Sequence, residues 1–580
     1  MFFRLSTRHL FLFLLLFAAS GCQKKSAGPP PRYAIVRFEN LSGDATLDWV
    51  GRAASEVLSN SLAGVMNGPV LSSAAVSRSS SSLGTRPAPA PGISTARDAA
   101  RVAGATRLIS GYIERAGAKV RVTASEEDLS SGKTLSIRSV VDNSVLGALS
   151  RLAHEFSPSA RAYETTNVTA LQRYATALEA PPEERETALE KATEADPDFG
   201  AVWLARAGAE AVRGNREAAE ALIGQARQQK LSEFSLASLD LEAAALKGDT
   251  GARIQAMRRI STLRPGDGDV LRSLAETETA AGNFRAAAED WQKLTQTLPA
   301  DPGAWNSLGY ALSYAGDYAG ARAAFEEYRK LRPNDANPLD SIGDLDYAWR
   351  KFGDAAANYS QASAKQPDFE QYGDLYKAAW AKFNAGDKAG AETLFAQFRE
   401  ARTRASDPLI TLRWADWLYR TGRAKQAVTY LRQTVSETKS ESVRVTGYSQ
   451  LAIWDLLEGD RASAARDAAG VGKVSTPAQA LARFVALPSA SVAEWESRAE
   501  RMMPQPAMGD LRRLAIGYAL LLDGKREAAV PVWQEIVRRN PATDFFSRAV
   551  YARLQGKPVE RALLPDPTNV NQFQALLDRL

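Results

Sequence analysis

Between residues 302 and 367, apolar and small side chains recur at helical spacing in two consecutive blocks of one design. In the first, Trp305, Leu308, Gly309, Leu312, Gly316, Tyr318, Ala321, Phe325 and Pro333 mark a helix, a tight turn, a second helix and a stop. The plan returns about 34 residues on, with Leu339, Ile342, Gly343, Phe352, Ala355, Tyr359, Ala362 and Pro367. Each such helix carries an apolar stripe that it cannot bury alone, so stacked neighbours are required. Gly309, Ala321, Gly343, Ala355 and Ala362 are predicted to let helix axes approach closely, with Trp291, Trp305, Phe325 and Tyr359 filling the space between.

The frame extends in both directions. Upstream it meets Leu271, Leu274, Ala275, Gly282, Phe284, Ala287, Trp291 and Pro299, and before them Trp203, Ala207, Ala219, Ile223 and Ala226. Downstream it meets Leu375, Ala379, Gly386, Ala391, Phe395 and Phe398, then Gly422, Ala427 and Leu431, then Leu451, Ala452, Gly459 and Ala464. Residues 475–504 fit poorly, and the pattern recovers at Gly517, Gly524, Ala529, Trp533 and Pro541. This spacing predicts about eleven repeats over 169–556, closed by a helix at 545–554 and followed by a tail at 557–580.

Ahead of the helical part the period changes. YAIVRF (33–38) reads as a strand, and ENLSGD leads into a helix near 47–62. A strand at Pro69–Val76, a helix at 95–103, strands at 106–114, 119–125 and 135–140, and a closing helix at Val145–Phe156 complete a β-α-β-α order followed by a meander. That order predicts a small α/β domain over 33–156. The Ser- and Pro-rich run within 77–92 lacks the composition of a packed core and is expected to be disordered.

The period, small residues and closing prolines resemble the tetratricopeptide repeat. The words FENLSGD and GYI, with the helix and meander around them, resemble the TolB amino-terminal-like domain. Together these resemblances imply an α+β chain, in which the α/β domain precedes an all-α tetratricopeptide solenoid. The repeat family implies a concave groove lined by the first helix of each pair. Carried onto this chain, the groove positions are Asn306, Tyr310, Ser313, Tyr314, Asp340, Asp344, Tyr347, Tyr376 and Trp380. Aromatic anchors among acidic neighbours suit a peptide of basic character. The Lys and Asn clamp by which some such repeats hold a terminal carboxylate has no counterpart at these positions.

Arg4, Arg8 and the apolar run Leu10–Ala19 form a signal-like leader over 1–21, ending in Ala19-Ser20-Gly21-Cys22. This ending resembles a bacterial lipobox. It implies lipidation of Cys22, a tether at 22–32, and a place in the bacterial envelope; Gln23 favours the outer membrane, facing the periplasm. Cys22 is the sole cysteine and His154 the sole histidine after the leader, so no disulfide or thiolate metal site is expected, and neither metal nor cofactor is assigned. The net charge of +5 comes from 72 basic and 67 acidic residues dispersed along the chain, which gives no nucleic-acid footprint.

Ser131-Gly132-Lys133-Thr134 echoes a phosphate loop but lacks its first glycine, so a hairpin turn is expected. Trp414 and Trp417 are expected to pack the helices rather than stack a sugar. The sequence thus points to a non-enzymatic lipoprotein scaffold that binds an unidentified protein or peptide. One alternative is a sensory module whose α/β domain binds a small ligand. A more remote one is an envelope-polymer hydrolase, which carboxylates gathered between repeats would favour.

Overall fold

The computed structural model describes residues 31–82, 93–472, 477–540, 544–557 and 573–580. The leader, Cys22 and tether residues 22–30 lie outside the described residues, as do 83–92 of the run expected to be disordered. The chain divides into two compact units, 1–270 with 296–300, and 271–295 with 301–580.

The first unit opens with β1 (Tyr33–Ile35), β2 (Glu39–Asn40), α1 (Trp49–Leu62), α2 (Ser73–Ser82) and α3 (Ile93–Val102). It continues with β3 (Arg107–Ala116), β4 (Lys119–Asp128), β5 (Thr134–Asp142) and α4 (Val145–Phe156). The sheet order is β1-β3-β4-β5, with β2 also beside β3; β1 and β2 run parallel to β3, while β4 and β5 are antiparallel. Phe38, Ile109, Ile113, Val122 and Val140 share a core with Val50 and Leu58 of α1 and Leu149 and Leu152 of α4. Ala34, Val36 and Leu108 are buried with Val76 of α2 and Ala100 of α3. The SGKT segment turns β4 into β5, where Asp128 accepts from the backbone N–H groups of Ser130 and Ser131, each at 2.9 Å.

Two expectations are corrected here. The strand at Pro69–Val76 reduces to a single bridge between Val70 and Tyr33, because Ser72 accepts from the Ala75 N–H at 3.2 Å and starts α2. That helix runs to Ser82, so residues 77–82 of the run expected to be disordered are helical.

Six helices complete the unit in pairs: α5–α6 (Val168–Glu179, Pro182–Ala195), α7–α8 (Gly200–Val212, Arg216–Ala226) and α9–α10 (Glu233–Lys247, Thr250–Leu263). Leu171 and Ala175 of α5 are buried in the core shared by α1 and α4. The α/β part therefore does not end as a separate core at residue 156.

The second unit holds α11–α12 (Gly268–Ala281, Phe284–Thr297), α13–α14 (Pro302–Tyr314, Tyr318–Leu331), α15–α16 (Asn337–Ala348, Phe352–Lys365), α17–α18 (Gly373–Asn384, Lys388–Arg404) and α19–α20 (Ile410–Arg420, Ala424–Glu437). It continues with α21–α22 (Glu441–Leu457, Arg461–Gly470), α23 (Pro477–Val485), α24 (Val492–Met502), α25–α26 (Gly509–Leu522, Arg526–Arg539), α27 (Phe545–Leu554) and α28 (Gln574–Arg579). In the poorly fitting stretch, α24 packs on α25, and α23 bridges α21 and α25. None of the described helices is long and apolar enough to cross a membrane.

Small residues do the expected work at Gly309, where a Cβ would stand 2.4 Å from Phe325 Cε1, and at Gly343, where it would stand 2.6 Å from the Tyr359 ring. Within most pairs the turn between helices is a left-handed glycine, as at Gly316 with φ 87°. The α15–α16 turn instead places the exposed Arg350 there, with φ 58°. A side chain in that conformation is disfavoured by about 1–2 kcal/mol, partly offset by glycine's greater freedom when unfolded. Arg350→Gly is therefore expected to stabilise this pair by about 0.5–1 kcal/mol, read as slower hydrogen exchange in α15 and α16.

Candidate functional site: the first helices of the central pairs

The expected groove positions lie on α13, α15 and α17, and the structure joins most of them into one network. Tyr310 donates to Asp344 Oδ2 at 3.0 Å, and Tyr359 donates to Asp344 Oδ1 at 2.8 Å. Ser341 donates to Asn306 Oδ1 at 3.0 Å. Lys377 of α17 donates to Asp340 at 2.7 Å and to Asp344 at 3.2 Å, and its ammonium lies 3.8 Å from Glu370. The same ammonium stands 5.5 Å over the Tyr359 ring.

Asp374 completes the group. Neither of its oxygens receives an N–H or hydroxyl hydrogen bond; they meet the Asp340 carboxyl instead. Burial pushes Asp374 up to about 6 and holds Asp340 well above the ordinary carboxylate range, with repulsion from Asp344 adding to the latter. Burial also raises the hydroxyls of Tyr310, well above its usual value, and of Tyr314, to about 12.

The nine expected positions divide by exposure. Asn306, Tyr310, Tyr314, Asp344 and Tyr347 are half-buried. Tyr314 packs between Phe284 and Phe545, and Tyr347 accepts from Asn384 at 2.7 Å. Ser313 and Asp340 are buried, and Tyr376 and Trp380 are only 1% and 3% exposed, so these four are not open to a partner. Tyr376 stacks on Phe398 at 4.9 Å, and Trp380 meets Trp417 edge-on at 4.7 Å with the Arg420 guanidinium 4.0 Å above its ring. Side chains this large turn into the seam with the next pair, where α19 covers them.

Sequence reasoning missed Lys377, Asp374, Tyr359 and Glu370 as members of this network. The signal was Lys377 within the apolar stretch Leu375–Ala381 of α17, one pair away from Asp340 and Asp344. A second missed signal is spacing: Gly343 to Ala379 is two residues longer than Gly309 to Gly343. The extra length is absorbed at Glu370, Gln371 and Tyr372, which have φ of 45°, 59° and 66°. Arg402 holds this left-handed turn by donating to the Gln371 carbonyl at 3.2 Å and side-chain oxygen at 2.8 Å. Three successive non-glycine residues in that region store strain, and the turn delivers Glu370 to Lys377.

Residues 272–336 and 375–401 match family models of the tetratricopeptide repeat. Within those two stretches the helix pairs are tetratricopeptide repeats. Solved structures similar to the chain include the MamA protein, at 18% identity over 30% of this chain and 94% of that one, with a TM-score of 0.27. The C-terminal part of a TPR repeat-containing protein from Cytophaga hutchinsonii is 17% identical over 40% and 93% of the two chains, with a TM-score of 0.33. Yeast Tom70 is 12% identical over 71% and 92%, with a TM-score of 0.30. No curated protein sequence matches. Within the matched tetratricopeptide segments lie Asn306, Tyr310 and Lys377; Asp340 and Asp344 stand on the pair between them.

A separate cavity of 350 Å³ is lined by Arg329, Lys330, Pro333, Leu339, Gln361 and Lys365. Its cations are already engaged, Arg329 by Glu326, Lys330 by Glu327 and Lys365 by the Pro333 carbonyl.

Proposed function

We propose that this protein is a non-enzymatic scaffold, anchored in the bacterial envelope through Cys22, that recruits a polypeptide of basic character to the first helices of its central tetratricopeptide repeats. Repeats of this kind serve in general as surfaces for protein partners. The observation that carries the reading is the gathering of three carboxylates, Asp340, Asp344 and Glu370, around the Lys377 ammonium, with a fourth, Asp374, against Asp340. With one ammonium among four carboxyl groups, the site is acidic overall. Its outer members are the half-buried Asp344, which accepts from the half-buried Tyr310, and Glu370, whose side chain is 54% exposed. An incoming lysine or arginine meets both charge and aromatic surface there.

The carboxylates come together between repeats, the arrangement that would favour a hydrolase. Glycosidic chemistry requires two carboxyl groups facing across a cleft roughly 5–10 Å apart. Asp340 and Asp374 instead touch and are buried, so the group serves as a clasp.

The test is crosslinking and pull-down from membranes with wild type and Asp344→Asn/Glu370→Gln. The doubly neutralised chain keeps the shapes of both side chains and is expected to recover at least roughly five-fold less partner. Equal recovery would end the groove assignment. Cys22→Ser is expected to leave the membrane fraction in the same preparation; retention there would end the lipid anchor.

A further inference from the structure

Residues 573–580 fold back onto the first helices of the later pairs. The Phe573 ring stacks on Tyr518 of α25, centroids 3.6 Å apart and planes 6° from parallel. Ala575 enters the cluster of Leu412, Leu418, Tyr419 and Trp454 from α19 and α21. Leu576 and Leu577 are buried with Ile453 and Leu456 of α21 and Tyr518. Charges close the contact: Asp578 accepts from Arg420 Nε at 2.8 Å, and Arg579 donates to the Leu457 carbonyl at 2.7 Å, to the Tyr419 hydroxyl at 2.8 Å and to Glu458.

Two features mark this segment as a docked ligand rather than a further repeat. α28 has 6 residues, and a helix that short has no stability of its own in water, so the surface beneath it supplies its order. The fit is also incomplete. The side-chain oxygen of Gln574 is buried and receives no hydrogen bond. That oxygen forfeits the hydrogen bonds that water gave it, which weakens the docked state.

We propose that residues 573–580 are an internal ligand of the face formed by α19, α21 and α25, and that this face exchanges it for a partner's short amphipathic helix of the same chemistry. That partner segment has an aromatic residue to stack on Tyr518, apolar residues two to four positions later, and an acidic and then a basic residue to meet Arg420 and Glu458. The internal segment therefore sets a threshold for access to this part of the solenoid. The inference rests on the reading that the repeats bind polypeptide, at helices other than those that hold Lys377.

The test uses a fluorescent peptide spanning residues 571–580 and three full-length proteins: wild type, Leu577→Asp, and Leu577→Asp with Glu458→Arg. Leu577→Asp undocks the internal segment and is expected to bind the peptide at least roughly ten-fold more tightly than wild type. Adding Glu458→Arg is expected to lose roughly ten-fold, and a peptide carrying Arg579→Glu to recover it. Circular dichroism checks that all three proteins keep their helical content. Equal affinity in wild type and Leu577→Asp would overturn the proposal, as would no binding by a helical Leu577→Asp protein. A wild-type dimer that dissociates in Leu577→Asp would make the occupant a second copy and overturn the internal assignment. Because the probe is a defined peptide, its failure leaves the pull-down result at Asp344 and Glu370 standing, and the reverse holds equally.

Discussion

Lys377→Met is expected to destabilise the α13–α18 region by about 3–5 kcal/mol near pH 7, because it removes one partner of a buried ion pair. Lys377 and Asp340 are both buried, 2.7 Å apart. Methionine matches the length of the lysine stem and leaves Asp340, Asp344, Asp374 and Glu370 facing one another. The loss depends on pH with a definite sign. Burial raises Asp374 to about 6 and raises Asp340 well above the ordinary carboxylate value, so below the folded values the folded chain holds protons that the unfolded chain has released. Stability supplied by these protonated carboxyls is complete below the ordinary carboxylate value of about 4 and is lost as pH rises through the folded values. In the variant, carboxylate repulsion strengthens that dependence, so the deficit is expected to shrink as pH falls from about 7 towards 4. Urea unfolding across this range, with hydrogen exchange to localise the effect, measures both. A deficit independent of pH would mean that Lys377 acts by packing alone.

Trp417→Ala is expected to destabilise the α17–α20 region by about 3–5 kcal/mol through the cavity it leaves. Trp417 is fully buried, its ring 4.5 Å from Phe395 in a stacked arrangement and 4.7 Å from Trp380 edge-on. Its indole N–H donates to Glu392 at 3.1 Å. Glu392 also pairs with Arg423 at 2.6 Å, so the carboxylate is not stranded and packing accounts for most of the loss. Trp417→Phe keeps a ring against Phe395 and is expected to recover roughly half of it. A melt within about 1 °C of wild type for Trp417→Ala would contradict the packing described here.

Much of the helical architecture is legible in the sequence because it depends on short-range spacing. Gly309 opposite Phe325 and Gly343 opposite Tyr359 are readable from the chain, since a residue without a Cβ on one helix admits a ring from the next. Where the signal is weaker than the local context, reading fails. The stretch Pro69–Val76 reads as a strand, yet Ser72 accepts a hydrogen bond from Ala75 and the chain enters α2. The groove positions fail for a different reason. Tyr376 and Trp380 occupy the same helix face as Asp340 and Asp344, but an aromatic ring on that face finds more apolar surface in the seam with α18 and α19 than in water.

The sequence alone determines the succession of helix pairs, the small residues where helices touch, and the mixed sheet ahead of them, since helical and strand periods and turn residues act over a few positions. Only the tertiary structure decides which inner side chains are open, that Lys377 closes on carboxylates of the preceding pair, and that α5 shares the core of the sheet. It alone decides, too, that residues 573–580 dock on α19, α21 and α25. Each of these joins residues distant in the chain through burial, and burial is a property of what lies across the seam, which no local spacing records.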